Sequence, residues 1–180
     1  MQKALFLDRD GIINRDDGYV YLESQLVWMP GIFEICRAAR AAGYRLIVVT
    51  NQSGIGRSYF SEEDYLRLQA FIHRRFDEEG APLTHTYYCG DAPKTLPDGT
   101  TEVSLRRKPN PGMFLEAFAE HGIDPSASIM LGDSERDMLA ARSAGIPTRL
   151  LLRTEGTDLG NDGSHTHIIQ HLISAANFLL

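Results

Sequence analysis

Cysteine is nearly missing from this chain. Cys36 and Cys89 are the only two, too few for a disulfide framework and in keeping with a reducing cytoplasm, the expected location. No apolar stretch approaches the roughly 20 residues that a membrane-spanning helix needs, so no membrane association is expected. There is no long basic run, and the net charge is −6, which argues against nucleic acid as a partner. Met1-Gln2-Lys3-Ala4 leads straight into an apolar segment, so no signal peptide is expected. Internal repeats and low-complexity tracts are lacking as well. What is present is the composition of an ordinary globular protein, with a length that suits one domain over residues 1–180, expected to be a monomer.

Strand-like and helix-like segments alternate along the chain. Residues 4–7 form a short apolar run that reads as a buried strand. Pro30-Gly31 opens a helix with Ile32, Ile35, Ala39 and Ala42 on one stripe, and Gly43 closes it. Residues 44–50 are almost entirely apolar and β-branched, the pattern of a strand covered on both faces. Ser61 and Asp64 have the spacing of a capping box, predicting a helix that runs to about Glu79. Further strands are expected near residues 84–89, 128–131 and 148–152, and helices near 111–122, 135–144 and 166–178. Residues 90–110 form the one long stretch without a periodic pattern. This alternation predicts an α/β fold, a doubly wound parallel sheet with helices on both faces.

In such a sheet, ligands bind beyond the carboxyl ends of the strands. The first strand ends in Phe6-Leu7-Asp8-Arg9-Asp10-Gly11. Two acids there are costly unless something positive lies between them. A divalent cation would serve, with one carboxylate left to attack a substrate; a plain acidic turn is the alternative. The second strand ends in Thr50-Asn51-Gln52-Ser53-Gly54, the fourth in Gly132-Asp133-Ser134-Glu135-Arg136-Asp137, and Arg106-Arg107-Lys108-Pro109 lies between the third and fourth. Each strand end thus offers acid, hydroxyl or base of a kind that suits metal and phosphate.

These four segments, in this order, resemble the four motifs of the haloacid dehalogenase superfamily of phosphatases. Asp8-Arg9-Asp10-Gly11, Thr50-Asn51-Gln52-Ser53-Gly54-Ile55 and Arg107-Lys108-Pro109-Asn110-Pro111-Gly112-Met113 are similar to the branch of heptose bisphosphate and histidinol-phosphate phosphatases. The resemblance covers residues 4 to about 154. It implies a Rossmann-like domain without a large cap, and a Mg²⁺-dependent phosphatase acting on a small phosphorylated sugar. Heptose 1,7-bisphosphate is the expected substrate; histidinol phosphate or another small monoester is the alternative. Phosphoryl transfer to a sugar and a non-catalytic phosphate-binding relic are further rivals, the relic disfavoured because both Asp8 and Asp10 are present.

The roles follow. Asp8 is the expected nucleophile, forming an aspartyl-phosphate. Asp10 is the expected acid and base, and the resemblance adds its main-chain carbonyl to the metal ligands. Asp8 and Asp133 supply carboxylates to Mg²⁺. Thr50, otherwise only a β-branched strand end, would bind phosphoryl oxygens, and Lys108 would stabilise charge on the phosphate and on Asp8. Asn51, Gln52, Ser53 and Arg107 are the expected substrate-binding residues, Arg107 with a fork suited to a second phosphate or to sugar hydroxyls. A solvated basic turn is the plainer account of Arg106-Arg107-Lys108. Asp137 could bind a metal-bound water or cap its helix. Without a cap domain, specificity is expected from residues 14–25, 57–60 and 90–106.

One departure stands out. Many members of this branch hold a structural zinc through a cysteine and a histidine two residues apart, followed by two cysteines just before the arginine. Here Cys89 matches the first ligand, but Asp91, Ser104 and Arg106 stand at the other three positions. One thiol and one carboxylate do not make a closed tetrahedral site, so no zinc is expected. His165 and His167 are expected at the surface.

Overall fold

A computed structural model of the chain describes residues 1–153 and 163–179. Strand β1 (Ala4–Leu7) is buried along its whole length. It is followed by a loop with a 3₁₀ turn at Glu23–Gln25, then α1 (Ile32–Ala41), β2 (Arg45–Asn51), the one-turn α2 (Ser53–Gly56), α3 (Glu62–Glu78) and β3 (His85–Cys89). A small antiparallel hairpin, β4 (Lys94–Thr95) and β5 (Thr101–Glu102), precedes α4 (Gly112–His121), β6 (Ile129–Gly132), α5 (Glu135–Ser143), β7 (Thr148–Leu152) and β8 (His167–Ile169). A 3₁₀ segment, Leu172–Phe178, ends the described chain.

The main sheet has the order β3-β2-β1-β6-β7-β8, and all its pairings are parallel. The chain winds outward from β1 through β2 to β3, then returns to place β6 on the other side of β1. That reversal opens a crevice beyond the carboxyl ends of β1 and β6. Side chains alternate across the sheet. Leu5, Leu7, Leu46 and Val48 face a core closed by α1, α3 and the terminal 3₁₀ segment, while Phe6, Ile47, Val49 and Met130 face one closed by α4 and α5. Apolar side chains on both faces account for the nearly continuous apolar strands in the sequence.

The capping box of α3 is present as the spacing predicts: the Asp64 N–H donates to Ser61 Oγ at 3.1 Å, and the Ser61 N–H donates to Asp64 Oδ2 at 3.0 Å. α1 begins at Ile32, two residues after the Pro30 expected to open it, because Gly31 takes φ +85° and caps the helix from outside it.

The expected helix over residues 166–178 is a correction. Its first part is β8, a sixth strand paired with Leu150–Leu152, and only the remainder coils, as 3₁₀ helix. The isoleucine pair at 168 and 169 prefers a strand, and the open edge of β7 supplies the hydrogen-bonding partner. Residues 90–110 also carry more structure than expected, since the β4–β5 hairpin lies within them.

Candidate active site

The four motif segments converge on the crevice beside β1. A cleft of about 490 Å³ opens there. Every residue expected to act on substrate or metal lines it except Thr50, which is buried just beneath.

Asp8 leaves β1 with its N–H donating to the Leu131 carbonyl at 3.1 Å, so the nearest strand across the crevice fixes its backbone. Its Oδ1 accepts the Arg9 N–H at 2.7 Å and lies 3.0 Å from Lys108 Nζ. Lys108 is 2% exposed. Its ammonium also sits 2.6 Å from Asp137 Oδ1 and donates to the Val49 carbonyl at 2.7 Å. Burial alone would lower this ammonium; the Asp137 and Asp8 carboxylates outweigh it and hold it above its ordinary range. Burial, with repulsion from Asp137, raises Asp8 well above the usual carboxylate range, Lys108 opposing. Asp133 is pushed up to about 6, by burial first and by Asp137 second.

Asp137 does cap its helix. Its Oδ2 accepts from the Ser134 N–H at 3.1 Å and from Ser134 Oγ at 2.7 Å, while its other oxygen faces Lys108. Burial would raise it, but Lys108 and Ser134 outweigh burial and hold it low. Gly132 is what lets it approach: a Cβ there would lie 2.6 Å from Asp137 Cβ. Gly11 plays the matching part for Asp133. Its φ is +84°, and a Cβ on it would fall 1.9 Å from Asp133 Oδ2.

Among the described residues, Asp8, Asp133 and Asp137 form the one group of acids, histidines or cysteines close enough to share an ion, with one oxygen from each within 4.8 Å of the others. Three crowded carboxylates facing a single lysine, two of them raised by burial and mutual repulsion, are a donor set of hard oxygens. That is the chemistry Mg²⁺ selects.

Asp10 lies in a cage that the sequence did not disclose. Arg9, 1% exposed, turns back on its neighbour and donates to Asp10 Oδ1 from Nε at 3.1 Å, and from Nη2 to Oδ1 at 2.8 Å and Oδ2 at 3.0 Å. Nη2 also donates to the Val20 carbonyl at 2.8 Å, which ties in the loop after β1. Asn14 Nδ2 donates to Oδ1 at 3.0 Å and Gln52 Nε2 to Oδ2 at 2.9 Å. Gln52 Nε2 also donates to Thr50 Oγ1 at 2.9 Å.

Asn51 acts on the opposite side. Its Oδ1 accepts the Lys108 N–H and its Nδ2 donates to the Lys108 carbonyl, both at 3.0 Å. The end of β2 thereby grips the main chain of the lysine-bearing segment.

The rim is basic. Arg57, Arg107 and Arg136 all line the cleft, and none has a carboxylate partner among the described residues. Burial lowers the half-buried Arg107 guanidinium, and the charges on Arg136 and Arg57 push it the same way. Arg107 Nη1 donates to the Asp91 carbonyl at 3.1 Å. Asp16, Gly18 and Tyr19, from the loop after β1, complete the wall, whereas residues 90–106 contribute none of the lining. Of the three segments expected to set specificity, the first two therefore reach the cleft. The third borders a separate depression between Asp91 and Leu105, beside which Cys89 Sγ lies 3.9 Å from Asp91 Oδ2.

Known proteins resemble this chain in sequence and fold. A family model described as HAD-hydrolase-like matches residues 105–175. A D-glycero-alpha-D-manno-heptose-1,7-bisphosphate 7-phosphatase of Burkholderia mallei is 50% identical over 150 residues, covering 83% of this chain and 79% of its own. The chain belongs to the heptose bisphosphate phosphatase family of the haloacid dehalogenase superfamily. A beta-anomer 7-phosphatase of Pasteurella multocida is 41% identical over 91% of this chain and 88% of its own. Among solved structures, the D,D-heptose 1,7-bisphosphate phosphatase of B. bronchiseptica, complexed with magnesium and phosphate, superposes with a TM-score of 0.82 at 26% identity, covering 99% of this chain and 98% of that one. As a member of this family the protein is a phosphoric monoester hydrolase. No helix among the described residues is long and apolar enough to cross a membrane.

Proposed function

We propose that this phosphatase removes the 7-phosphate from D-glycero-D-manno-heptose 1,7-bisphosphate, acting as a single Mg²⁺-dependent domain and a cytoplasmic monomer without structural zinc. The observation that carries the substrate reading is the pairing of a nucleophile pocket with three arginines, Arg57, Arg107 and Arg136, that have no carboxylate partner among the described residues. A phosphate held at Asp8 leaves a second one, at the far end of a sugar, to meet those guanidinium forks. The names of the relatives point to the same substrate class.

Asp8 is the nucleophile: it leaves β1 at the cleft, with Oδ1 held by the Arg9 N–H and Lys108, and Asp133, also at the cleft, is left to the metal. Asp10 accepts from protein donors at both oxygens, and Asp137 accepts at Oδ2 while its Oδ1 is paired with Lys108, whereas Asp8 Oδ2 accepts none among the described residues. In the first step an Asp8 oxygen bonds to phosphorus, the bond from phosphorus to the sugar oxygen breaks, and Asp10 gives that oxygen its proton. In the second, water attacks the aspartyl-phosphate and Asp10 takes a proton from it, while the Asp8–phosphorus bond breaks and phosphate is freed. Lys108 offsets the charge gathered on Asp8 and the phosphoryl oxygens, and the Thr50 hydroxyl donates to one of those oxygens. Asp8 and Asp133, with the Asp10 carbonyl, would hold Mg²⁺, which screens the repulsion between nucleophile and phosphate and polarises the phosphoryl group. Asn51 and Ser53 line the substrate side of the cleft together with Gln52 and Arg107.

The test is phosphate release from both heptose bisphosphate anomers, histidinol phosphate and fructose 1,6-bisphosphate, with Mg²⁺ and with EDTA. We expect a clear preference for a heptose bisphosphate, loss in EDTA and loss in Asp8→Asn. Equal weak rates on all four substrates would remove the heptose reading. Activity that survives EDTA or Asp8→Asn would remove the mechanism.

A further inference from the structure

Asp10 has to keep one orientation through two proton transfers, yet it stands at the mouth of a loop rather than inside a strand. What holds it is the cage already described: five donor contacts of 2.8–3.1 Å on the two oxygens of one carboxylate, from Arg9, Asn14 and Gln52. An ionised carboxylate offers about four lone-pair sites, so the group has no acceptor position left to spend on turning. Arg9 is itself buried, with its guanidinium carbon 5.8 Å from the centroid of the Tyr65 ring.

Gln52 differs from the other two donors because it alone faces the cleft. Its backbone is anchored where β2 ends, the N–H donating to the Cys89 carbonyl at 2.8 Å. Its amide nitrogen carries two hydrogens. A carboxylate accepts only, so the nitrogen is the end that must face Asp10. The second hydrogen goes to Thr50 Oγ1 at 2.9 Å. Both donors are therefore spent inside the protein. The Thr50 oxygen, occupied as acceptor on that side, keeps its own proton for another partner.

We infer that Gln52 is a positioning residue that yokes the Asp10 carboxylate to the Thr50 hydroxyl, holding the acid/base group and the phosphoryl donor in one fixed relation; the inference rests on the roles proposed for those two residues. A misplacement of about 1 Å at a reacting group costs on the order of 100-fold in rate, so the yoke acts on kcat rather than on sugar affinity.

Gln52→Met and Gln52→Asn separate this from other roles. The first keeps the length without the donors, and the second keeps an amide too short to reach both partners. Two rates are compared for each variant: steady-state hydrolysis of the best alkyl phosphate substrate, and the pre-steady-state burst of p-nitrophenolate from p-nitrophenyl phosphate. That burst reports the first step with a leaving group that needs no proton. We expect kcat on the alkyl phosphate to fall roughly 10- to 100-fold with KM within threefold of wild type, and the burst rate to fall at least tenfold less. Equal losses on both substrates would show that Gln52 does nothing through Asp10 and overturn the inference. So would a raised KM with unchanged kcat, which would make Gln52 a substrate ligand. If the wild-type enzyme ignores heptose bisphosphate, the substrate reading fails, but the comparison still runs on whichever alkyl phosphate is hydrolysed. Gln52→Asn carries the test should the methionine variant not fold.

Discussion

Gly11→Ala offers a substitution whose effects on stability and on metal binding can be told apart. An added Cβ would lie 1.9 Å from Asp133 Oδ2, 2.4 Å from its Cγ and 3.1 Å from its Cβ. The contact falls mainly on the far end of a side chain, so the carboxylate can swing aside, by about 1.5 Å if it is to regain ordinary van der Waals separation. The backbone cost is that of a left-handed residue with a Cβ at φ +84°, about 1–2 kcal/mol. For a chain of this size that amounts to a melting temperature lower by roughly 2–8 °C. The functional cost is larger, because the displaced carboxylate is a proposed Mg²⁺ ligand. We expect the half-saturating Mg²⁺ concentration for phosphate release to rise about 10- to 100-fold, as it does when a metal site is disturbed from just outside its ligands. Gly80→Ala is the matched control: its φ is +72°, but nothing lies within 4 Å of its added Cβ. It should melt lower by a similar amount with its Mg²⁺ dependence unchanged. If Gly11→Ala has wild-type Mg²⁺ dependence, Asp133 does not hold the ion. If both variants fail to fold, the cost assigned to the left-handed backbone is too small.

Three further outcomes are expected. Lys108→Met strands Asp8, Asp137 and the Val49 carbonyl around a buried methylene chain, and loss of one partner from such a cluster costs about 3–5 kcal/mol. Urea unfolding at pH 8 in EDTA measures it, and a loss under 1 kcal/mol would contradict the pairing. Asp133, held up to about 6 against an ordinary 3.8, keeps a proton in the native state that the unfolded chain releases. The stability this confers is present below about pH 4 and is lost as pH rises through about 6, up to ~3 kcal/mol for two pH units. Bound Mg²⁺ removes the penalty, so the gain in melting temperature on adding Mg²⁺ should be larger at pH 7.5 than at pH 5, and an equal gain at both would refute it. Gly112→Ala places a Cβ 2.4 Å from the Leu105 carbonyl oxygen, a main-chain atom with little room to give. KM for the bisphosphate should rise while Mg²⁺ dependence holds, because the shift falls on the chain leading to Arg107 and spares the acids.

Much of this was legible because buried parallel strands announce themselves. β1, β2 and β6 are apolar on both faces, and each ends abruptly in polar residues that could only belong to the crevice. The acids at 8, 10 and 133 followed from those ends, whereas the lysine at 108, in the segment before α4, followed from the resemblance of Arg107-Lys108-Pro109 to the family's motif. What escaped notice lies at right angles to the chain. A charged Arg9 between two acids reads as a solvent-facing residue, and only the folded loop shows it buried and bound to its own neighbour. Asn14 and the double use of Gln52 are likewise contacts across turns that carry no periodic signal. Arg136 lay hidden in the first turn of a helix whose spacing drew attention to Asp137. β8 was lost because a run as short as residues 167–169 has no periodicity to separate strand from helix, and the strand preference of its two isoleucines was realised at the edge of β7.

The grip of Asn51 on both main-chain groups of Lys108 has a consequence for how such an enzyme can change. Two residues 57 positions apart are tied at a point that bypasses everything strung between them. Closing a longer loop costs only a small logarithmic increment of entropy, so the intervening chain can lengthen, shorten or exchange its contents without carrying the ammonium away from Asp8. The position of Lys108 is thus insulated from changes in the chain between the two residues. Residues 90–106 can therefore be rewritten while Lys108 keeps its place beside Asp8.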